Sequence, residues 1–173
     1  MSWIGPRSVD GGLDLVPLGD EPGSIWLCGK HLAGPDPDAA LARADGADTV
    51  VCFCEEYELA DRYPNYPAWL REHAGQRALW HPIPDLTAPA VSRAHEIATD
   101  LAARVRRGDH LVLHCAAGKG RAPTMTIATM LVLGIPLAAA LTAVAEARPG
   151  AGPEVGAQNE LVEAIAEIVG GDL

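Results

Sequence analysis

The sequence predicts an α/β fold, in which a central, mostly parallel sheet of about five strands carries helices on both of its faces. Short runs rich in Val, Ile and Leu alternate along the chain with longer patterns of helical period. The run at residues 49–54 is apolar throughout, as expected for an interior strand that is covered on both faces. The length of 173 residues suits a single domain, residues 1–173, with a core large enough to fold without disulfides or a structural metal.

The first half of the chain is predicted to supply the outer strands and two short helices. Apolar stretches at 12–18 and 24–29, bounded by Gly, Pro and Asp, predict the first two strands as a hairpin-like edge. A Pro/Asp turn followed by Ala/Leu-rich sequence predicts a helix over 35–44. After the interior strand, the acidic stretch 55–59 leaves the sheet on the side where such folds bind ligands. A second short helix is predicted over 68–74.

The second half predicts two more strands and the longer helices. The predicted elements are a strand at 77–83, a helix at 89–107, a strand at 109–114, helices at 122–133 and 137–147, and a last helix after a Gly/Pro-rich loop that ends at 156. In the helix at 89–107, apolar residues fall near one face and Gly108 ends the helix.

The chain carries a formal net charge of −10. Nucleic acids and anionic membranes bind surfaces with an excess of Lys and Arg, so we expect neither as a partner. No apolar run is long enough to span a membrane, and residues 1–12 lack the charged-then-apolar pattern of a secretory signal. These features predict a cytoplasmic protein, and the sequence leaves its oligomeric state open.

Four cysteines stand at positions 28, 52, 54 and 115, a spacing that forms no paired CxxC units. We therefore predict neither a metal site nor a disulfide framework. Cys52 and Cys54 fall on one face of the predicted interior strand, where small buried core residues are expected. In a second interpretation, one of them forms a reversible disulfide with Cys115 and protects it from over-oxidation.

The most informative stretch is an apolar strand that ends in a cysteine, followed by a glycine-containing loop and an arginine where a helix begins: residues 109–114, Cys115, residues 116–120 and Arg121. At a helix N-terminus the free backbone N–H groups converge, and the helix dipole adds partial positive charge. Gly118 and Gly120 allow the backbone conformations that point these donors at an oxyanion. We call residues 116–120 the cradle loop and predict that it binds an anion.

A thiol in this position is expected to act as a nucleophile. Cys115 would lie at a helix N-terminus beside Arg121 and Lys119, whose positive charge favours the thiolate at neutral pH. The planar guanidinium of Arg121 can bind two oxygens of a phosphoryl group. A phosphate held by the cradle loop and Arg121 would present its phosphorus to the sulfur of Cys115.

The pattern His114-Cys115, five residues, then Arg121 resembles the signature of the cysteine-dependent protein phosphatases. The chain is most similar to the dual-specificity type, of the kinase-associated and Cdc14-like kind, over about residues 27–158. The resemblance implies a protein-tyrosine-phosphatase-like fold and hydrolysis of phosphomonoesters through a phosphocysteine intermediate, without a metal or other cofactor. It also implies a set of phosphate-binding residues: Ala116, Ala117, Gly118, Lys119, Gly120 and Arg121.

Asp85 is the predicted general acid. It follows the strand at 77–83 and lies 30 residues before Cys115. The chemistry needs such a group, because the leaving oxygen must be protonated as its bond to phosphorus breaks. The same carboxylate can then activate the water that hydrolyses the phosphocysteine. Its setting also resembles the Pro-Ile-Pro/Ala-Asp loop of the family.

Three further residues are predicted to have supporting roles. His114 is expected to hold the backbone of the cradle loop through ring hydrogen bonds and to tune the thiolate. By analogy with family members, which place an Arg-Pro pair and then a Gln at this point, Gln158 positions the hydrolytic water. Many members carry Ser or Thr directly after the arginine, where the hydroxyl stabilises the departing thiolate. Here that residue is Ala122, and the nearest hydroxyl, on Thr124, is a poor substitute, so we expect slow hydrolysis of the phosphocysteine.

The sequence thus predicts a phosphatase that acts on phosphotyrosine, phosphoserine or phosphothreonine in a protein. Lys119 occurs at the rim in some phosphoinositide phosphatases, but Ala116 and Ala117 are neutral, which disfavours a multiply charged inositide over a phosphoprotein. An inositide or another small phosphomonoester remains an alternative substrate. Two other functions stay open: arsenate-reductase-like thiol chemistry, which needs a resolving cysteine, and a module that binds phosphorylated partners without turnover.

Overall fold

The computed structural model describes residues 7–171. The strands are β1 Asp14–Val16, β2 Ser24–Gly29, β3 Thr49–Cys52, β4 Ala78–Trp80 and β5 His110–Cys115. The helices are α1 Arg7–Asp10, α2 Lys30–Ala33, α3 Pro37–Arg43, α4 Tyr57–Ala60, α5 Tyr66–Glu72, α6 Val91–Arg106, α7 Arg121–Val132, α8 Leu137–Ala147 and α9 Gly156–Gly171.

The strands form one sheet in the order β1-β2-β5-β3-β4. β1 pairs antiparallel with β2 as the predicted hairpin-like edge, and the other neighbours pair in parallel. The prediction of a five-stranded, mostly parallel sheet flanked by helices is confirmed. β5 is the middle strand, so the cysteine at its carboxyl end lies at the centre of the sheet's ligand-binding edge.

The short elements differ from the prediction. Helices α1, α2 and α4 are four residues each, too short for a periodic pattern to reveal them. Strand β4 ends earlier than the strand predicted over 77–83, because Pro82 and Pro84 lack the backbone donor that a regular ladder needs. Ile83 still donates to the carbonyl of Phe53 at 3.0 Å, which keeps the following residues beside β3.

Two apolar cores lie on opposite faces of the sheet. Leu111 and Leu113 of β5 belong to the larger core, which is built with α6, α7, α8 and α9. Val112, between them in the sequence, belongs to the smaller core, which is built with α2, α3 and α5. This alternation is the two-residue period of a strand, and it explains why β5 is apolar at every position from Leu111 to Leu113.

Helix α7 is buried on all sides, which fixes the helix N-terminus next to the cysteine. Every residue from Arg121 to Leu131 is buried, because α6, α8 and α9 all pack around α7. The hydroxyls of Thr126 and Thr129 donate to backbone carbonyls one turn earlier, at 2.9 and 2.8 Å. Because these hydroxyls are hydrogen-bonded, burying the two polar side chains in an apolar environment costs little folding free energy.

The cysteines divide between the two cores. Cys28, Cys52 and Cys54 lie in the smaller core, as fully buried residues of the kind predicted, whereas Cys115 lies in the larger core. All four thiols are free. Across residues 7–171, no helix has the length and apolar character needed to cross a membrane.

Candidate active site

The strand-loop-helix unit is arranged as the sequence predicts. Cys115 is the last residue of β5, and Arg121 is the first residue of α7. Gly118 has φ of +70°, and a Cβ there would collide with the carbonyl of Cys28, so only glycine fits. Gly120 has φ of −114°, so its role differs from the prediction of a special backbone conformation. A side chain at position 120 would collide with the carboxylate of Glu154, which packs against Gly120.

The carbonyls of the cradle loop point away from the site. The carbonyl of Ala116 accepts from the backbone N–H of Lys30 at 2.9 Å. Those of Ala117 and Gly118 accept from Nη2 and Nε of Arg148 at 2.8 and 3.0 Å. In a planar trans peptide the N–H points opposite to the carbonyl. The N–H groups of Ala117, Gly118 and Lys119 therefore point inward, in the arrangement that binds an oxyanion.

A pocket of about 150 Å³ opens over this loop. The residues predicted as nucleophile, general acid and phosphate ligands line this pocket, with the exception of Gly118. The lining residues are Asp85, Leu86, Cys115, Ala116, Ala117, Lys119, Gly120, Arg121 and Glu154. Asp85 is 56% exposed at the mouth, whereas Cys115 is 3% exposed at the base. The pocket thus has a thiol at its base and carboxylates at its entrance.

Arg121 is held by a partner that sequence reasoning missed. Its Nη1 and Nη2 each donate to one carboxylate oxygen of Glu58 at 2.8 Å. Nη1 also donates to the carbonyl of Ile83 at 2.8 Å, and Nη2 lies 3.2 Å from Oδ1 of Asp85. Although burial acts to lower it, the bonds to Glu58 raise the pKa of Arg121, which remains a cation. The sequence did place Glu58 just beyond β3, on the ligand-binding edge, and this position could have indicated a carboxylate partner for Arg121.

The thiol of Cys115 is less acidic than the sequence suggested. Burial raises its pKa above the ordinary value, and this outweighs the N–H of Ala122, the charge of Arg121 and the N–H of Gly118, which all lower it. The expectation of a lowered pKa is therefore wrong for the protein without bound phosphate. The reason is burial, which removes the water that would stabilise the thiolate, and the ion pair with Glu58 offsets part of the positive charge of Arg121.

His114 lies on the opposite face of β5 from the pocket. Its Nδ1 lies 3.1 Å from the carbonyl of Cys115, which can only accept, so Nδ1 carries the proton. Its Nε2 then accepts from the hydroxyl of Tyr66 at 2.6 Å. This geometry fits the predicted role of holding the loop backbone. Side-chain atoms of Cys52, Cys54 and His114 lie within 4.8 Å of one another, but both ring nitrogens of His114 already have hydrogen-bond partners.

Gln158 and Thr124 do not line the pocket. Gln158 is buried, its Oε1 accepts from the N–H of Glu154 at 2.8 Å, and its Nε2 donates to the carbonyl of Thr87 at 3.1 Å. The side chain links two loops that border the pocket, and its role in positioning the hydrolytic water stays a prediction. The buried hydroxyl of Thr124 has no hydrogen-bond partner within residues 7–171, so it offers no support to the sulfur.

A family model described as "Swiss Army Knife protein, DSP-PTPase phosphatase domain" matches residues 30–154 of the chain. This match includes the pocket residues from Asp85 to Glu154. A comparison with curated proteins finds no match to the chain.

Solved phosphatase structures share the fold. Tk-PTP in its active form is 30% identical, with a TM-score of 0.67 over 89% of this chain and 97% of that chain. Kinase associated phosphatase, with its catalytic-site cysteine changed to serine, is 19% identical, with a TM-score of 0.75 over 94% and 97%. PTPMT1 in complex with PI(5)P is 19% identical, with a TM-score of 0.70 over 86% and 93%. At 19% identity, the last two matches show the fold alone.

We predict that Glu58→Gln lowers the pKa of Cys115, because the anion that is paired with Arg121 is removed. The rate of alkylation of Cys115 by iodoacetamide, measured against pH with mass-spectrometric detection, should show its midpoint at lower pH. Glu56→Gln is the matched control, since Glu56 is half exposed and paired with Arg71. A midpoint that stays in place or rises in Glu58→Gln would show that Glu58 does not balance the charge near the sulfur.

Proposed function

This chain belongs to the DSP-PTPase family of cysteine-dependent phosphatases, and we propose that it removes phosphate from proteins by way of a phosphocysteine formed on Cys115. The observation that carries the proposal is the convergence of Cys115, the inward N–H groups of the cradle loop, Arg121 and Asp85 on one small pocket. Each of these groups has a distinct part in transferring a phosphoryl group.

In the first step, a phosphomonoester binds with its oxygens against the cradle loop and Arg121. Cys115 loses its proton to solvent water, and the resulting thiolate attacks phosphorus, so a sulfur–phosphorus bond forms as the bond to the leaving oxygen breaks. Asp85, at the mouth, gives its proton to that oxygen. The loop N–H groups and Arg121 stabilise the charge on the three remaining oxygens during transfer. A bound phosphate also offers Nη2 of Arg121 an alternative to its 3.2 Å contact with Asp85.

In the second step, water replaces the thiolate on phosphorus. Asp85, now ionised, accepts a proton from the attacking water, and the sulfur–phosphorus bond breaks to release inorganic phosphate. The departing thiolate is stabilised by the backbone N–H groups of Ala122 and Gly118. Ala122 has no hydroxyl to add a third donor. This supports the prediction that phosphocysteine hydrolysis is the slow step.

The charges around the pocket favour a phosphoprotein over a multiply charged inositide. The carboxylates of Asp85 and Glu154 both line the pocket, and apart from the paired Arg121 the lining includes one cation, Lys119, whereas Ala116 and Ala117 contribute no charge. A second phosphate next to these carboxylates would be repelled. PTPMT1 is solved in complex with PI(5)P, so a phosphoinositide or another small phosphomonoester stays the second candidate substrate. The cytoplasmic location and the exclusion of nucleic-acid and membrane partners remain predictions.

The mechanism predicts different losses of hydrolytic activity for two variants, measured in metal-free buffer that contains a chelator. Cys115→Ser should abolish hydrolysis of p-nitrophenyl phosphate. Asp85→Asn should lower turnover of phenyl phosphate by roughly 100-fold and that of p-nitrophenyl phosphate by less, because the better leaving group needs less protonation. Initial rates between pH 4.5 and 8.5 provide the measurement. Turnover by Cys115→Ser, or equal losses of the two substrates in Asp85→Asn, would contradict the assigned roles.

The same experiment separates the enzyme from a binding module. If the wild-type protein hydrolyses neither aryl phosphate nor phosphopeptide, while Cys115→Ser still binds phosphopeptides, the pocket binds phosphate without turnover and the enzymatic proposal fails.

Ala122→Ser should speed the second step, because the added hydroxyl can donate to the departing thiolate. We expect steady-state turnover to rise roughly 3- to 10-fold. In rapid-quench experiments the wild type should show a burst of p-nitrophenol, and the burst should shrink in Ala122→Ser. Thr124→Val is the control, and it should leave both phases unchanged. A wild-type protein without a burst would show that phosphocysteine hydrolysis is not rate-limiting.

Glu154→Gln should favour more highly charged substrates. Its kcat/KM for a doubly phosphorylated peptide should rise roughly 2- to 5-fold relative to the singly phosphorylated form of the same peptide. Glu167→Gln, at the exposed far end of α9, is the control for a change in net charge. Equal changes in the two variants would show that Glu154 does not select against a second phosphate.

A further inference from the structure

The residue that follows α8, Arg148, is the largest fully buried side chain within residues 7–171. A buried guanidinium needs an anion and acceptors for its N–H groups. Its Nη1 donates to Asp14 at 2.7 Å and also contacts the carbonyls of Gly11 and Gly12 at 3.2 and 3.1 Å. These contacts attach Arg148 to the chain just before and at the start of β1, at the far edge of the sheet from β4.

The other side of the same guanidinium binds the cradle loop. Nε donates to the carbonyl of Gly118 at 3.0 Å, and Nη2 donates to the carbonyl of Ala117 at 2.8 Å. These carbonyls belong to the peptide units that carry the N–H groups of Lys119 and Gly118. Arg148 therefore determines the direction of two of the three inward donors, one of which lowers the pKa of Cys115.

We propose that Arg148 is a positioning residue for catalysis, which sets the cradle loop in its phosphate-binding conformation before phosphate arrives. This inference rests on the proposed phosphatase function. Without Arg148, the carbonyls of Ala117 and Gly118 lose the N–H donors from which they accept and can turn toward the site, where they repel a phosphate. A donor set that is already oriented has no reorganisation cost when the phosphoryl group binds or transfers.

Asp14 does not contact the cradle loop directly but orients Arg148. Its carboxylate accepts from Arg148 and also from Arg7, where the Nη1–Oδ2 distance is 3.0 Å. It therefore fixes the plane of the Arg148 guanidinium from the side opposite to the loop. The planar fork is necessary here, since Nε and Nη2 must reach two successive carbonyls at once while Nη1 faces the carboxylate. A lysine supplies the charge but not this geometry.

The test uses Arg148→Lys in a Cys115→Ser background, so that turnover does not affect the measurement. Sodium tungstate, an oxyanion of phosphate-like shape, is titrated by calorimetry at a temperature where every variant is folded. We expect tungstate affinity to fall roughly 10-fold or more, because two bonds from a charged donor are lost. In the background that retains Cys115, the alkylation midpoint should move to higher pH, since the N–H of Gly118 no longer points at the sulfur.

Leu101→Ala is the control for lost stability alone, because Leu101 is a buried core residue of α6. It should lower the melting temperature and leave tungstate affinity and the alkylation midpoint unchanged. If Arg148→Lys does not fold, Asp14→Asn replaces it, which keeps the guanidinium but removes its anion, and affinity should fall roughly 3-fold. A folded Arg148→Lys variant with unchanged affinity, or an equal loss in Leu101→Ala, overturns the inference.

The design also separates this inference from the proposed function. If Cys115→Ser binds tungstate and the wild type hydrolyses p-nitrophenyl phosphate, but Arg148→Lys changes neither property, the phosphatase assignment stands and the role of Arg148 fails. If Cys115→Ser does not bind tungstate at all, the cradle loop is not an oxyanion site and both proposals fail.

Discussion

The bidentate ion pair between Arg121 and Glu58 is the interaction on which the site depends. It places a cation at the start of a helix that is buried on every side, where an unpaired charge would destabilise the fold by about 3–5 kcal/mol. The pair also links α7 to the segment after β3, and the bond to the carbonyl of Ile83 extends the link to the chain after β4. The middle of the sheet's ligand-binding edge is thereby held together through one guanidinium group.

Two buried arginines lie on opposite sides of the cradle loop. Arg121 lines the pocket, where part of its surface is available to a phosphoryl group, whereas Arg148 lies behind the cradle loop and binds its carbonyls. Arg121 pairs with Glu58 and also contacts Asp85, and Arg148 pairs with Asp14, so both cations can be buried in a protein with a net charge of −10. Oriented N–H groups, a helix N-terminus and Lys119 add positive potential to the pocket.

The balance of charge has a consequence for the nucleophile. Burial raises the pKa of the Cys115 thiol and outweighs the positive charge of Arg121, part of which the carboxylate of Glu58 offsets. A dianionic phosphate in the pocket would replace part of the interaction between Arg121 and Asp85. The donors around the sulfur, from Ala122 and Gly118, then carry more of the stabilisation of the thiolate, both as nucleophile and as leaving group. The absence of a hydroxyl at position 122 makes these backbone donors more important.

Local sequence determined much of this protein. The apolar run of β5, the glycines of the cradle loop and the apolar helix after it specified a strand, a tight turn and a buried helix, because these depend on residues close together in the chain. The order of Asp85, Cys115 and Arg121 along the chain indicated phosphoryl transfer through a cysteine. The three short helices were missed, since four residues contain too little periodicity to distinguish them from turns.

Tertiary structure alone decided the partners of the buried charges and the acidity of the thiol. Arg121 and Glu58 are 63 residues apart in the sequence, and Arg148 and Asp14 are 134 apart. Which of the many carboxylates meets each arginine depends on the strand order, which places β5 between β2 and β3. The pKa of Cys115 depends on how completely water is excluded and how far Glu58 cancels the charge of Arg121. Both are properties of the assembled packing, so no local pattern in the sequence determines them.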